Sequence, residues 1–187
     1  MLRTVPFYYL RHGQTDWNRE GRDQGQQDIP LNDHGLLQAQ HAASLLENEP
    51  ITAIFSSPLS RARRTAEIVN EALRLPLTII DDLTEIGFGE WEGTLKNHTD
   101  YAQWRAGLVA PHGAETFATF HERASSAING ALDLPGPVLI VGHGGLYWAI
   151  EHHAAFATNN TIPNATPVLH MPPDTGNAWT RRILASG

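Results

Sequence analysis

Short apolar runs alternate along the chain with longer segments in which apolar residues recur every third or fourth position. The short runs are rich in β-branched and aromatic side chains, which is typical of buried strands. The longer segments have the spacing of one face of a helix. Strands are therefore predicted at 5–10, 51–55, 77–80, 138–141, 167–171 and 179–184, the last two near an edge of the sheet.

Two polar residues mark predicted helix starts. Asn32 can accept a hydrogen bond from the first turn of a helix that reaches Asn48. Ser57 is predicted to cap the next helix, with Pro58 as its first residue, because proline has no N–H group to satisfy there. Further helices are predicted at 101–105, 117–131 and 146–156.

This order of elements predicts an α/β protein. Strands that alternate with helices form a mostly parallel central sheet covered on both faces, which makes a three-layer α/β/α sandwich. A chain of 187 residues suits one domain, since a domain of this size buries roughly 70% of its unfolded surface. Residues 1–187 are therefore expected to form a single domain.

The most abrupt polar interruptions follow the predicted strands. Arg11 and His12 come directly after the first strand, and Arg61 lies in the helix after the second. Glu85 follows the third strand, and His143 follows the fourth. Ligands of open α/β sheets bind at the carboxyl ends of the strands, so these five side chains are expected to converge on one site.

Composition narrows the classes of function. No apolar run approaches the roughly 20 residues that span a bilayer, so no membrane span is expected. The sequence has no cysteine, which excludes disulfides, thiolate chemistry and cysteine-ligated zinc. A formal net charge of −7 argues against a nucleic-acid partner. The first ten residues lack a small-residue cleavage site and are interpreted as a strand, so the predicted location is cytoplasmic.

Two histidines, two arginines and a carboxylate form a coherent set for phosphoryl transfer. A neutral imidazole is a nucleophile at physiological pH without a metal. The planar guanidinium group binds two phosphoryl oxygens at once, and a carboxylic acid can protonate the leaving oxygen. Glu85, Glu90 and Glu92 are the candidates for that acid.

Each of these residues also has a plainer interpretation. His12 could be an ordinary histidine at a strand end, and His143 could be a turn residue between glycines. Arg61 could belong to a solvated turn of a helix. The pair His152-His153 is a poor metal site because adjacent helical residues do not share a face. No known metal-binding spacing occurs, so no metal is predicted.

Four motifs resemble those of the histidine phosphatase superfamily, and they follow that family's order over nearly the whole chain. A lone Arg-His-Gly triplet would be a weak signal, but the ordered set resembles the phosphoglycerate-mutase-like enzymes, in particular their small phosphatase branch. The motifs are Leu10-Arg11-His12-Gly13 with Thr15, Trp17, Asn18 and Gln24-Gly25; Ser56-Ser57-Pro58-Leu59-Ser60-Arg61-Ala62; Leu83-Thr84-Glu85 with Gly89-Glu90-Trp91-Glu92-Gly93; and Val141-Gly142-His143-Gly144-Gly145.

The resemblance implies a role for each matching residue. His12 is implied as the phosphorylated nucleophile and Glu85 as the proton donor, while Arg11, Arg61 and His143 complete the phosphate pocket. The implied enzyme is a metal-independent phosphomonoester hydrolase that forms a phosphohistidine and needs no cofactor. Further phosphate or substrate contacts are expected at Asn18, Gln24, Gly25 and Gly144.

Hydrolysis is favoured over two other functions of the same pocket. Phosphoglycerate mutases of this family are usually longer, with an insertion of cationic residues, whereas 93–113 is short and has only Lys96 and Arg105 as formal cations. A mutase and a non-catalytic phospho-ligand binder stay open as alternatives. The sequence departs from the family pattern at His112-Gly113-Ala114, which bears on specificity, and at Trp148, where an arginine is common. The expected partner is a small phosphorylated metabolite, bound by a monomer or homodimer.

Overall fold

Six strands and six α-helices occur in the part of the protein that the computed structural model describes, residues 1–96, 98–154, 162–174 and 178–185. All six predicted strands are present, with ends shifted by a few residues. The strands are β1 (Phe7–Arg11), β2 (Ile54–Ser56), β3 (Leu77–Ile79), β4 (Leu139–Gly142), β5 (Pro167–Met171) and β6 (Thr180–Ile183). The helices are α1 (Asp16–Glu20), α2 (Asp33–Leu46), α3 (Ser60–Leu73), α4 (His98–Arg105), α5 (Phe117–Ala131) and α6 (Gly144–Ala154), with 3₁₀ helices at Asp81–Leu83 and Gly89–Trp91.

The strands form one mixed sheet in the order β3-β2-β4-β1-β5-β6. β2 pairs in parallel with β3 and with β4, and β4 pairs in parallel with β1. β5 runs antiparallel to β1 and to β6, which lies at the sheet edge as predicted. Because β1, β2 and β4 are parallel neighbours, their carboxyl ends meet at the same edge of the sheet.

Helices cover both faces of the sheet, as the alternation of side chains along β1 shows. Phe7 and Tyr9 belong to an apolar cluster that includes residues of α5 and α6. Tyr8 and Leu10 belong to a second cluster, with residues of α2 and α3. Since successive side chains of a strand lie on opposite faces, the two clusters are the two cores of a three-layer sandwich. The predicted fold class is confirmed.

The predicted cap of α2 is confirmed. The Asn32 side chain accepts a hydrogen bond from the N–H group of Gly35 at 2.9 Å. The helix predicted at 146–156 is present as α6, and positions 155 and 156 lie outside the described residues. Within the ranges that the structure describes, no helix is both long and apolar enough to cross a membrane.

The predicted start of α3 is wrong. The helix begins at Ser60, with Leu59 at the N-cap position, rather than at Pro58. Ser57 extends the pairing of β2 instead, because its N–H group donates to a carbonyl group of β4 at 3.1 Å. Its hydroxyl group is hydrogen-bonded to Nε2 of His143 at 2.8 Å. Ser57 therefore belongs to the strand end and to the site described below, and the helix starts after it.

A buried histidine in β5 gives the protein a pH-dependent stability. His170 is fully buried, and its ring stacks on that of Phe7 at a centroid distance of 4.7 Å. Burial, and then the charge of Arg181, lowers the pKa of His170 to about 3. The unfolded chain has an ordinary histidine pKa of about 6.5, so below that pH it binds a proton that the folded protein does not. The free energy of unfolding therefore falls as the pH decreases.

We expect His170→Gln to remove this part of the pH dependence. Between about pH 7 and pH 5, the His170 contribution lowers the free energy of unfolding by about 2 kcal/mol in the wild type and by nothing in the variant. Urea denaturation at both pH values measures the difference. His34→Gln, on the exposed surface of α2, is the matched control and should follow the wild type. Equal pH dependence in His170→Gln and the wild type would contradict this assignment.

Candidate active site

A cavity of about 110 Å³ opens beside the carboxyl ends of β1, β2 and β4. Four of the five side chains expected to converge line it, and the fifth, His143, packs against His12 with a distance of 5.3 Å between ring centroids. The residues expected to make further phosphate or substrate contacts, Asn18, Gln24, Gly25 and Gly144, also line it. The lining residues are Arg11, His12, Asn18, Asp23, Gln24, Gly25, Arg61, Glu85, Phe88, Lys96, Tyr101, Gly144, Gly145, Trp148 and Ile162.

His12 is held at the end of β1 with one ring nitrogen directed by the backbone. The backbone N–H group of His12 donates to the carbonyl oxygen of Gly142 in β4 at 2.9 Å. Nδ1 lies 2.7 Å from the carbonyl oxygen of Gly13, and this bond requires the proton to be on Nδ1. Nε2 then carries the lone pair. A side chain at position 13 is excluded, because its Cβ would lie 2.4 Å from the carbonyl oxygen of Gly35.

The surroundings of His12 favour its neutral form. Burial, followed by the positive charges of Arg61 and Arg11, lowers the pKa of His12 well below the usual range. The residue is 2% exposed, and the lowered pKa leaves its imidazole ring unprotonated at neutral pH. A neutral ring with a lone pair on Nε2 has the electronic state that a nucleophile requires.

His143 is the second buried imidazole of the site. Its Nε2 is paired with the hydroxyl group of Ser57 at 2.8 Å, and its carbonyl oxygen accepts the hydroxyl proton of Tyr9 at 2.5 Å. Burial and then the charge of Arg61 lower the pKa of His143 well below its usual range, so this ring is also neutral. Among the described residues, Nδ1 of His143 is buried without a hydrogen-bond partner.

Two arginines bring positive charge to the buried end of the cavity. Arg61 is fully buried and donates to the carbonyl oxygens of Gln27 at 2.7 Å and Gly25 at 2.8 Å. Arg11 donates to the carbonyl oxygen of Ile162 at 2.9 Å. Burial lowers the pKa of Arg61 to about 10. This value is still well above 7, so the guanidinium group is charged at neutral pH. Within the described part of the chain, Nε of each arginine is buried and has no hydrogen-bond partner.

Thr15 orients both amide side chains of the site. It caps α1 by accepting the N–H group of Asn18 at 3.1 Å, and its hydroxyl group donates to Oε1 of Gln24 at 2.9 Å. Oδ1 of Asn18 accepts from the backbone of Thr15 and from Asn164, each at 3.2 Å. The amide oxygens are thus used within the protein, and the NH₂ groups of Asn18 and Gln24 are the donors for a ligand.

Glu85 lies at the amino end of α6, opposite the arginines. The N–H group of Gly145 donates to both carboxylate oxygens at 3.1 Å, and that of Ile86 donates at 3.0 Å. An atom in the position of a Cβ on Gly144 would lie 3.9 Å both from Nε of Arg11 and from Oε2 of Glu85. The carboxylate and the guanidinium group therefore face a common space.

The two other carboxylates considered for the acid role lie elsewhere. Glu90 is exposed, and neither it nor Glu92 lines the cavity. The Glu92 carboxylate accepts hydrogen bonds from the backbone of Gln26 and Phe88 and from the side chain of Gln27, so it holds two loops together. Because Glu85 lines the cavity, its position favours it over Glu90 and Glu92 for the acid role.

Arg123 of α5 clamps the loop that carries Glu85. Its guanidinium group donates to the carbonyl oxygens of Thr84 at 2.8 Å and Glu85 at 3.3 Å. It also donates to both carboxylate oxygens of Glu115, at 3.0 and 2.7 Å, and Glu115 in turn accepts the N–H group of Gly87 at 2.7 Å. The backbone on both sides of Glu85 is thus fixed by one ion pair.

Several lining residues were not predicted as part of the site. Asp23 and Phe88 are sequence neighbours of motif residues, and Tyr101 lies outside the motifs. Ser57, which contacts His143 behind the lining, was predicted only as a helix cap. Trp148 had been noted for its departure from the family pattern. Asp23 accepts a hydrogen bond from the hydroxyl group of Tyr101, which joins the loop after α1 to α4. This pairing is long-range, and no local pattern signals it.

Among the described residues, no group of three or more histidine and carboxylate side chains is arranged to hold a metal ion. His121, His152 and His153 lie near one another between α5 and α6, with ring centroids 4.4 to 5.9 Å apart. Ser125 pairs with His153 at 2.6 Å. The expectation of a metal-free site stays a prediction.

This chain is similar to known proteins in sequence and in structure. A sequence model of the histidine phosphatase superfamily (branch 1) matches residues 7–167. The uncharacterized phosphatase PhoE of Bacillus subtilis is 46% identical over 84 residues, which cover 45% of this chain and 44% of that protein, so the match spans less than half of that relative. The probable phosphoglycerate mutase GpmB of Escherichia coli is 37% identical over 151 residues, 73% of this chain and 68% of that protein. The solved mycobacterial glucosyl-3-phosphoglycerate phosphatase superimposes with a TM-score of 0.77 at 28% identity, covering 97% of this chain and 98% of that one.

Proposed function

This chain belongs to the histidine phosphatase superfamily, and we propose that it hydrolyses phosphomonoesters of small metabolites with His12 as the nucleophile. The observation that carries the proposal is a set of buried nitrogens around His12 without partners in the described residues: Nε of Arg11, Nε of Arg61 and Nδ1 of His143. Buried polar groups are normally hydrogen-bonded. A phosphoryl group at His12 offers oxygens to all three, provided that Nδ1 of His143 carries the proton.

In the first step, Nε2 of His12 attacks phosphorus in line with the leaving oxygen. The bond from phosphorus to the alcohol oxygen breaks, and Glu85 in its acid form gives its proton to that oxygen. The products are a free alcohol and a phosphohistidine on His12. Arg11 and Arg61 stabilise the charge that develops on the phosphoryl oxygens.

In the second step, the Glu85 carboxylate accepts a proton from water while the water oxygen attacks phosphorus. The bond between phosphorus and Nε2 of His12 breaks, inorganic phosphate forms, and the neutral imidazole is restored. Glu85 is left protonated for the next turnover. One carboxyl group thus serves as acid and then as base.

The cationic residues of 93–113 favour hydrolysis over transfer between two hydroxyl groups of one substrate. Lys96 lines the cavity, whereas Arg105 lies over the indole ring of Trp148 at 4.9 Å and does not line it. A mutase substrate with a carboxylate would be held by Lys96 alone in this segment. The name of the similar mycobacterial phosphatase, which specifies a phosphorylated small molecule, supports a metabolite as substrate.

We expect Arg123→Gln to lower kcat/KM, which reports formation of the phosphoenzyme, by about 10- to 100-fold for alkyl phosphates, because a small displacement of Glu85 misaligns proton transfer to the leaving oxygen. The loss should be larger for alkyl phosphates, whose leaving oxygen needs a proton, than for p-nitrophenyl phosphate. Steady-state kinetics with both substrates measure it. Arg63→Gln, which removes an exposed arginine paired with Glu67, is the matched control. A uniform loss for both substrates would point to general destabilisation rather than to the position of Glu85.

The activity is tested by incubating the protein with p-nitrophenyl phosphate and with a panel of alkyl phosphates in excess chelator. Release of inorganic phosphate under these conditions is the expected result. Activity that disappears with chelator and returns with a divalent ion would replace the proposal with a metallohydrolase. If the protein bound phosphorylated compounds but released no inorganic phosphate and was not itself labelled, it would be a non-catalytic phospho-ligand binder. An isomeric phosphate in place of inorganic phosphate would identify a mutase.

A further inference from the structure

Part of the active-site cavity is lined by aromatic side chains. Phe88 and Tyr101 are buried and contact each other at a centroid distance of 5.7 Å. Trp148 packs edge-on against Tyr101 at a centroid distance of 5.5 Å, and all three aromatic residues line the cavity. In the hydrolysis proposed above the arginines bind the phosphoryl group, so these aromatic residues are available to the alcohol portion of the substrate.

Trp148 is held rigidly between two cavities. It lines the active-site cavity and also a neighbouring one bounded by Phe117 and Glu151. The guanidinium group of Arg105 lies over its indole ring at 4.9 Å, and Tyr101 fixes another part of its surface. An aromatic ring already fixed by neighbours loses little side-chain freedom when a ligand packs on it.

The hydroxyl group of Tyr101 is already engaged within the protein. It donates to Asp23, so the ring rather than the hydroxyl group is offered to a ligand. Lys96 also lines the cavity and lies within electrostatic reach of His12 and Arg11, toward the phosphoryl group. Beside the aromatic rings, a polyhydroxy alcohol would find the Asp23 carboxylate and the Tyr101 hydroxyl group already paired with each other.

On the basis of the hydrolysis proposed above, we propose that Phe88, Tyr101 and Trp148 form the leaving-group subsite and select phosphomonoesters whose alcohol carries a flat apolar ring. Ring pairs in offset or edge-on arrangements stabilise binding beyond the effect of buried area. Trp148 is the specificity-determining member, because it packs against Tyr101 and forms the partition between the two cavities.

The test compares three phosphates of primary alcohols with similar leaving oxygens: phenethyl, cyclohexylethyl and hydroxyethyl phosphate. We expect kcat/KM for phenethyl phosphate to exceed that for hydroxyethyl phosphate by about tenfold or more, mainly through KM. Cyclohexylethyl phosphate, apolar but not flat, should lie between them. In Trp148→Ala the phenethyl to hydroxyethyl ratio should fall by about tenfold, equivalent to about 1.4 kcal/mol.

Two variants separate specificity from folding. Trp148→Phe keeps an aromatic ring and should retain most of the preference, while Trp179→Ala, which removes a tryptophan outside the cavity lining, should keep the wild-type ratio. Equal kcat/KM for phenethyl and hydroxyethyl phosphate, or an unchanged ratio in Trp148→Ala, would overturn the subsite while hydrolysis stands. Equal values for phenethyl and cyclohexylethyl phosphate would overturn the requirement for a flat ring. No phosphate release from any substrate would instead overturn the proposed hydrolysis itself.

Discussion

Replacing His12 with alanine is expected to lower kcat/KM for p-nitrophenyl phosphate by about 10⁴-fold or more. The variant loses the Nε2 lone pair that forms the bond to phosphorus, while Arg11 and Arg61 are still present to bind the phosphoryl group. We therefore expect inorganic phosphate to bind to the variant although turnover is lost. Steady-state kinetics and a phosphate titration measure the two effects separately.

The control for His12→Ala is His34→Ala. His34 lies on the exposed side of α2, so its removal tests the loss of a histidine without touching the cavity. The control should retain wild-type turnover. If His12→Ala retained comparable turnover as well, the nucleophile would have to be another group or water.

Glu85→Gln is expected to show an effect that depends on the leaving group. For alkyl phosphates kcat should fall by about 10²–10⁴-fold, since the leaving oxygen must take up a proton as it departs. p-Nitrophenolate leaves without a proton, so His12 is still phosphorylated, but no carboxylate remains to activate water. We expect a rapid burst of p-nitrophenol followed by slow turnover, measured by stopped-flow absorbance.

The matched control for this variant is Glu90→Gln. Glu90 lies in the same loop, is exposed and does not line the cavity, so the variant should show no burst and normal turnover. A burst in Glu90→Gln together with unchanged kinetics in Glu85→Gln would transfer the acid role to Glu90. Unchanged turnover in both would remove the loop carboxylates from the mechanism.

The fold could be predicted largely because its signals are local. The alternation of Phe7, Tyr8, Tyr9 and Leu10 between two cores is a property of one strand, and the order of strands and helices fixes the layers. The start of α3 could not be predicted in the same way. Ser57 has the side chain of a helix cap, but a histidine 86 positions away holds its hydroxyl group.

The contrast between local signals and long-range contacts also applies to the two parts of the site, the phosphate-binding residues and the aromatic residues. His12 and His143 follow neighbouring strands whose register pairs Arg11 with Gly142, so the positions after the strand ends indicated their proximity. The aromatic side depends on how α4 and α6 pack, which brings Tyr101 against Trp148. No sequence periodicity encodes that contact. Residues 1–187 as a single domain, the location of the protein and its state as a monomer or homodimer stay predictions.

The most direct test of the proposed mechanism is to trap the phosphoenzyme. Glu85→Gln is mixed with radiolabelled aryl phosphate in excess chelator, denatured rapidly under alkaline conditions, and digested to locate the label. The His12 mechanism predicts an acid-labile phosphohistidine in the peptide that contains His12 and no label in His12→Ala. Release of phosphate without any labelled protein, or label on a residue other than His12, would contradict it.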